Sequence, residues 1–191
     1  MIILGVDPGT LITGYGIIEV RNGKLSMLEC DVVKNRSTRS MPIRLKQIYE
    51  TLLAVIDRFQ PDEFAIETAF YGKNAQSALK IGHARGVSIL AAVNREIPTT
   101  EYSPREVKKA VVGNGSATKN QVQYMVKSLL DLDVVPKFYD ATDALAVAIC
   151  HYHRRGKSTV KRRINGSVRG GADKDWRKFV QAHPERIIRT K

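Results

Sequence analysis

After Met1 the chain runs Ile2-Ile3-Leu4-Gly5-Val6-Asp7-Pro8-Gly9-Thr10. Residues 2–6 are an apolar run too short for a helix, and Pro8-Gly9 turns the backbone directly after Asp7. The segment therefore reads as a buried strand that presents a carboxylate at its end. Outward from it, residues 14–20 and 24–33 form two further β-rich runs, joined by Arg21-Asn22-Gly23. Asn and Gly tolerate positive φ and close a tight hairpin, which makes the three runs an antiparallel meander. At Met41 the period changes: Leu45, Ile48, Leu52, Val55, Ile56 and Phe59 recur at helical spacing until Pro61 stops the helix. Residues 63–66 then read as a short buried strand that delivers Glu67 at its C-terminal end.

A second helix is predicted over residues 75–94, with Ala78, Leu79, Gly82, Gly86, Ile89, Leu90 and Val93 on one stripe. Each glycine costs about 1 kcal/mol against alanine inside a helix. Gly82 and Gly86 therefore suggest close approach of another backbone, from the core or from a second copy of the chain. After Pro98 a short strand runs to Tyr102. Ser103-Pro104-Arg105-Glu106 and the segment from Thr118 to Gln121 are capping boxes that start a third and a fourth helix, separated by Val112-Gly113-Asn114-Gly115-Ser116. The last helix starts near Asp140. The order βββαβαβααα predicts an α/β fold: a five-stranded mixed sheet, three antiparallel strands then two parallel, with helices on both faces. This order resembles the ribonuclease H-like arrangement.

The 191 residues carry 31 Lys and Arg against 19 Asp and Glu, a net charge of +12. The excess sits at one end. Residues 154–191 hold 13 basic residues against Asp173, Asp175 and Glu185, whereas residues 1–153 are nearly neutral. The expected organisation is a folded domain over residues 1–153 and a basic, flexible extension over 154–191. Gly166, Gly170 and Gly171 among Arg and Lys offer it little apolar surface for ordering. Such a polycation would hold nucleic acid in a salt-dependent way; the rival reading has Trp176, Phe179 and Val180 dock on the core or a partner. No apolar run approaches the roughly 18 to 20 residues that cross a bilayer, and the N-terminus lacks the basic region of a signal peptide. The expected location is cytoplasmic. Cys30 and Cys150 lie far apart with no CxxC spacing, so reduced thiols are expected. His151 and His153 lie two apart near the end of the last helix and are expected at its surface.

Four carboxylates carry the chemistry. Taken singly, each has an ordinary role: Asp7 as a turn former, Glu67 as a solvated strand end, Asp140 and Asp143 as complements of a helix dipole. Asp140 and Asp143, however, fall one helical turn apart, with Cβ atoms roughly 5 to 6 Å from each other. The small residues Ala141, Ala144, Ala146 and Ala148 let that helix lie close to the sheet and bring its N-terminus to the strand ends. Four converging carboxylates repel one another unless protons or cations neutralise them. Oxygen donors without His or Cys favour Mg2+ or Mn2+ over zinc, and a pair of such ions serves phosphodiester hydrolysis. Lys119, at a helix start after a Gly/Ser loop, is placed for a phosphate.

The run Ile3-Leu4-Gly5-Val6-Asp7-Pro8-Gly9-Thr10 with Gly14-Tyr15-Gly16, followed by Ala65-Ile66-Glu67, Lys73-Asn74-Ala75, Gly82-His83-Ala84-Arg85-Gly86, Val112-Gly113-Asn114-Gly115-Ser116 and Asp140-Ala141-Thr142-Asp143-Ala144-Leu145-Ala146, resembles the RuvC family of bacterial Holliday junction resolvases. The resemblance spans about residues 1 to 153. It implies a Mg2+-dependent homodimeric endodeoxyribonuclease, with two ions per subunit and Mn2+ as a substitute, that nicks a four-way junction symmetrically in recombination and repair. It also implies the RuvA–RuvB branch-migration complex as a partner. Asp7, Glu67, Asp140 and Asp143 match the family's metal-binding carboxylates, and Phe70 its aromatic residue beside the scissile strand. Lys108 and Lys119 match lysines near the cleaved phosphate, Lys119 with a catalytic role. Lys73 and Arg85, within the matching motifs, are further expected DNA contacts.

Three other readings compete. An actin-like or sugar-kinase ATPase shares the opening strand and Asp-x-Gly-Thr, but needs about twice this length to close a nucleotide cleft. A related nuclease acting on RNA or single-strand ends is the alternative reading. A junction-binding module without catalysis has no use for the carboxylate set.

Overall fold

The computed structural model describes residues 1–68 and 75–162, with side chains as far as Arg155. Phe70, Lys73 and the aromatic residues of the basic extension lie outside the described residues. The antiparallel meander is β1 (Ile2–Asp7), β2 (Ile12–Arg21) and β3 (Lys24–Lys34), followed by α1 (Met41–Phe59), β4 (Glu63–Glu67), α2 (Ala75–Val93) and β5 (Thr99–Tyr102). Three helices complete the described chain: α3 (Pro104–Val112), α4 (Lys119–Leu129) and α5 (Tyr139–Arg162). The sheet runs β3-β2-β1-β4-β5, with β4 parallel to β1 and β5 parallel to β4. The fold is the five-stranded mixed sheet expected from the sequence. Asn22 and Gly23, both at positive φ, make the hairpin between β2 and β3. Both expected capping boxes are formed, at Ser103 with Glu106 and at Thr118 with Gln121.

The period of two in the strands sorts side chains between two cores. Leu4, Val6, Phe64 and Ile66 pack on one face against Ile48, Leu52 and Ile56 of α1 and Ala84 and Ala91 of α2. Ile3, Ala65 and Tyr102 pack on the other, against Val107, Val122, Val126, Leu145 and Ile149 of α3, α4 and α5. By this alternation Gly5, Asp7, Glu63 and Glu67 belong to the α5 face.

Contact between α5 and the sheet is close because glycines lie beneath it. A Cβ on Gly5 would stand 2.2 Å from the carbonyl oxygen of Ala144, and one on Gly14 would stand 1.9 Å from that of Asp140. Gly16 lies under Leu145 in the same way. The small residues noted on α5 are one half of this fit; the glycines of β1 and β2 are the other.

Two expectations are corrected. The stripe that carries Gly82 and Gly86, open between the core and a second copy of the chain, faces outward at Leu79, Leu90 and Val93, and the buried positions of α2 are Ala84, Ser88, Ala91 and Ala92. Small residues line the buried side because α2 packs closely against α1 there, so the largest apolar residues do not mark the inner face. Among the described residues nothing lies within 4 Å of a Cβ built on Gly82 or Gly86, which removes packing against the described core as the reason for that pair. His151 is buried rather than at the surface: Tyr102 and Glu63 hold its two ring nitrogens.

Candidate active site

Asp7 and Glu67 leave adjacent parallel strands one residue beyond the paired Val6 and Ile66, on the same face of the sheet. The carboxyl ends of such strands form a crevice because the chain departs from them in different directions. Asp7 also pairs across β2 with Gly14, whose missing side chain admits the backbone of Asp140. The start of α5 is thereby seated beside the end of β1. One turn further on, Asp143 faces a cleft of roughly 260 Å³ lined by Asp7, Glu67, Pro104, Val107, Lys108, Lys119, Val122 and Asp143. The lysines come from α3 and α4, and each helix start is fixed by its capping box. Pro104, Val107 and Val122 give the cleft an apolar wall that sequence reasoning had not assigned to it; helical spacing from the two caps was the available signal.

The electrostatics follow from the crowding. Burial, then the charges of Asp143 and Asp140, push the carboxyl group of Asp7 up to about 7. Burial, then Asp7 and Asp143, push Glu67 up to about 8. Burial also raises Asp143, against the pull of Lys119, whose ammonium stands 3.2 Å from its Oδ2. Lys119 is itself raised, chiefly by Asp143. Lys108 and Lys119 are thus the cations already present, and they leave the carboxylate charge incompletely balanced.

These groups fit the hard divalent cation expected from the sequence. Their donors are all oxygen, they are half-buried, and their mutual repulsion is the kind a cation relieves. Among the described residues no three His, Cys, Asp or Glu side chains are arranged to hold an ion as they stand. Asp140 acts on Asp7 through its charge but is not among the residues lining the cleft. Arg85, an expected DNA contact, is also outside that lining; its guanidinium pairs with Glu101, and its Nε is buried without a hydrogen-bond partner among the described residues.

A pH prediction follows. In the unfolded chain Asp7 and Glu67 ionise near 3.8 and 4.5, but in the metal-free folded protein near 7 and 8. The folded state holds these protons more tightly, so stability falls as pH rises between about 4 and 8 and levels off above. Thermal melts of metal-free protein from about pH 5 to pH 8 are expected to show this decline, and millimolar Mg2+ is expected to reverse it at the upper end. A melting temperature independent of pH and Mg2+ would contradict the coupling.

The sequence matches the family model described as "Crossover junction endodeoxyribonuclease RuvC" over residues 3–151. The chain belongs to the RuvC family. It is 51% identical over 171 residues to the crossover junction endodeoxyribonuclease RuvC of Aeromonas salmonicida, a match covering 88% of this chain and 97% of that one. With the RuvC of Christiangramia forsetii the identity is 42% over 186 residues, covering 97% and 92% of the two chains. Among solved structures, Thermus thermophilus RuvC in complex with a Holliday junction substrate superposes with a TM-score of 0.76 at 31% identity, covering 83% of this chain and 98% of that one. RuvC nucleases are metal-dependent, which agrees with the donor set of the cleft. The family resemblance and the ribonuclease H-like architecture expected from the motifs therefore hold.

Proposed function

We propose that this RuvC-family chain resolves four-way DNA junctions by paired symmetric nicks, working as a homodimer in recombination and repair. The observation that carries the reading is the cleft itself: Asp7, Glu67 and Asp143 meet Lys108 and Lys119 at the ends of parallel strands, with the carboxyl groups held above their ordinary range. Asp7, Glu67, Asp140 and Asp143 are assigned as ligands for two Mg2+ ions per subunit, with Mn2+ as a substitute. Divalent cations bound there supply charge stabilisation and a nucleophile for in-line hydrolysis of a phosphodiester. Lys119 and Lys108 supply positive charge towards the phosphate, and Lys119 is free to do so once Asp143 is engaged elsewhere. Phe70 and Lys73, which follow Glu67 closely in the chain, are assigned to the DNA strand next to the cut, Phe70 by stacking on an unpaired base. Arg85 is retained as a DNA contact only by its place in the matching motif, since its partner in the fold is Glu101.

Incubation of the protein and Mg2+ with a mobile four-way junction, a linear duplex and a structured RNA of equal length tests this reading. Cleavage confined to the junction, at opposed strands, supports it; preferential cutting of the RNA supports the alternative. The RuvA–RuvB complex is the proposed partner on the same junction, and the cytoplasm the proposed location. No described helix is long and apolar enough to cross a membrane. The extension over residues 154–191 is proposed to add sequence-independent phosphate contacts, although α5 itself continues to Arg162.

Dimerisation has a candidate surface. Leu79, Gly82, Gly86, Leu90 and Val93 lie on one exposed face of α2, and a two-fold axis across such a face gives two subunits the same self-complementary patch. Because a side chain at Gly86 meets none of the described residues, Gly86→Leu is expected to fold normally and to shift the protein from dimer to monomer in sedimentation velocity. An unaltered dimer would place the interface elsewhere.

A further inference from the structure

The middle of α5, two turns beyond Asp143, is tied to the sheet by a polar chain whose core, Tyr102 and His151, is buried. The Tyr102 hydroxyl lies 2.9 Å from His151 Nδ1. His151 Nε2 pairs with Glu63 Oε2, and Arg155 Nε lies 2.7 Å from Glu63 Oε1. A donor order that satisfies every atom runs from the Tyr102 O–H to Nδ1, from Nε2–H to Oε2, and from Arg155 to Oε1. Burial keeps the phenol protonated by pushing it up to about 12. The nuclease chemistry uses none of these groups.

Their positions in the fold are informative. Glu63 and Glu67 are the two ends of β4 on the same face, about 13 Å apart at 3.3 Å per residue. His151 and Asp143 are eight positions apart on α5, about 12 Å at 1.5 Å per residue. The two spans match, so a contact at Glu63 sets where Asp143 falls relative to Glu67. Tyr102 joins the same frame: it pairs in register with Glu67, its carbonyl accepts from Thr68 N at 2.8 Å, and it directly precedes the cap of the helix carrying Lys108.

Contact between α5 and the sheet is smooth where it is closest. At Gly5 and Gly14 backbone meets backbone, with no side chain from the strand to interlock with the helix. Such contact allows close approach but resists sliding along the helix axis poorly, whereas hydrogen bonds are directional. We propose that Tyr102, His151 and Glu63 form a latch that fixes the axial register of α5 and so sets the spacing of Asp140 and Asp143 from Asp7 and Glu67. These are positioning residues. The inference rests on the nuclease reading for its consequence, but the latch is measurable without cleavage.

Tyr102→Phe removes one hydroxyl oxygen and keeps the ring packing. It is expected to raise the Mg2+ concentration that half-saturates the thermal shift of DNA-free protein, and to lower kcat, by about ten- to a hundredfold, while junction affinity is unchanged. His151→Gln, which can accept from Tyr102 and donate to Glu63, should restore most of both quantities; His151→Leu should not. Ile48→Val, in the core on the other face of the sheet, is the control for lost stability alone and should lower the melting temperature without moving the Mg2+ midpoint. If Tyr102→Phe destabilises too far for the titration, the comparison of His151→Gln with His151→Leu decides. Wild-type Mg2+ midpoint and kcat in folded Tyr102→Phe, or equal behaviour of the two His151 variants, would overturn the latch. Failure of wild-type protein to cut any junction, with the midpoint shift still present, would instead overturn the nuclease reading and leave the latch standing.

Discussion

Asp7→Asn is expected to lower junction cleavage by roughly a thousandfold or more, on the scale seen when a preorganised electrostatic group is removed from an active site. Junction affinity should hold or improve. Asp7 ends the central strand, between Glu67 on β4 and the Gly14–Asp140 contact from β2 and α5, so its charge reaches every other carboxylate of the cleft. Asparagine keeps the size of the side chain and removes that charge. The loss therefore falls on the reaction, while one fewer negative charge faces the DNA backbone. A second consequence separates charge from shape: Glu67 is raised partly by Asp7, so its carboxyl group should titrate lower in the variant. Single-turnover cleavage with a saturating excess of protein, gel-shift titration of the junction and carboxyl-edited NMR provide the three readings. Near-wild-type cutting by Asp7→Asn would remove the assignment of the cleft as the active site.

The second large effect is at a glycine. Gly14→Ala places a methyl group 1.9 Å from the carbonyl oxygen of Asp140, a separation that backbone must move to relieve. Overpacking of this kind costs about 1 to 3 kcal/mol and sometimes more. In a chain of this length each kcal/mol shifts the melting temperature by roughly 2 to 4 °C. A fall of several degrees to about ten is expected, with loss of cleavage larger than the unfolded fraction explains, because the displaced backbone carries Asp140. Gly5→Ala meets Ala144 and Ala148 of the same helix and should behave alike. Circular dichroism melts, with cleavage measured well below the transition, test both. A Gly14→Ala protein with wild-type melting and cleavage would mean that α5 does not lie on the sheet as described.

Much of this was legible in the chain because it depends on local rules. A meander with Asn22-Gly23 at its turn, two capping boxes and Asp140–Asp143 one helical turn apart are short-range patterns, and the structure keeps all of them. The ends of β1 and β4 could be read for the same reason: a strand stops where its apolar run stops. What the pattern could not give is which face of an element turns inward. On α2 the larger apolar residues predict one side and the close packing of Ala84, Ala91 and Ala92 selects another. The burial of His151 is hidden for the same reason, since helical position tells nothing of a Tyr and a Glu that come from strands distant in sequence.

The sequence by itself determined the order of elements, the kinds of residue at the strand ends and helix starts, and the family to which they point. These rest on backbone propensity, side-chain period and the chemistry of individual groups, all of which act within a few residues. Tertiary structure alone decided that Gly5 and Gly14 lie under the backbone of α5, that Lys119 pairs with Asp143, and that Tyr102, His151 and Glu63 meet. Those contacts join residues from different strands and helices. Their distances depend on how closely two elements approach, and the buried, mutually repelling environment that raises Asp7 and Glu67 exists only once the elements have packed.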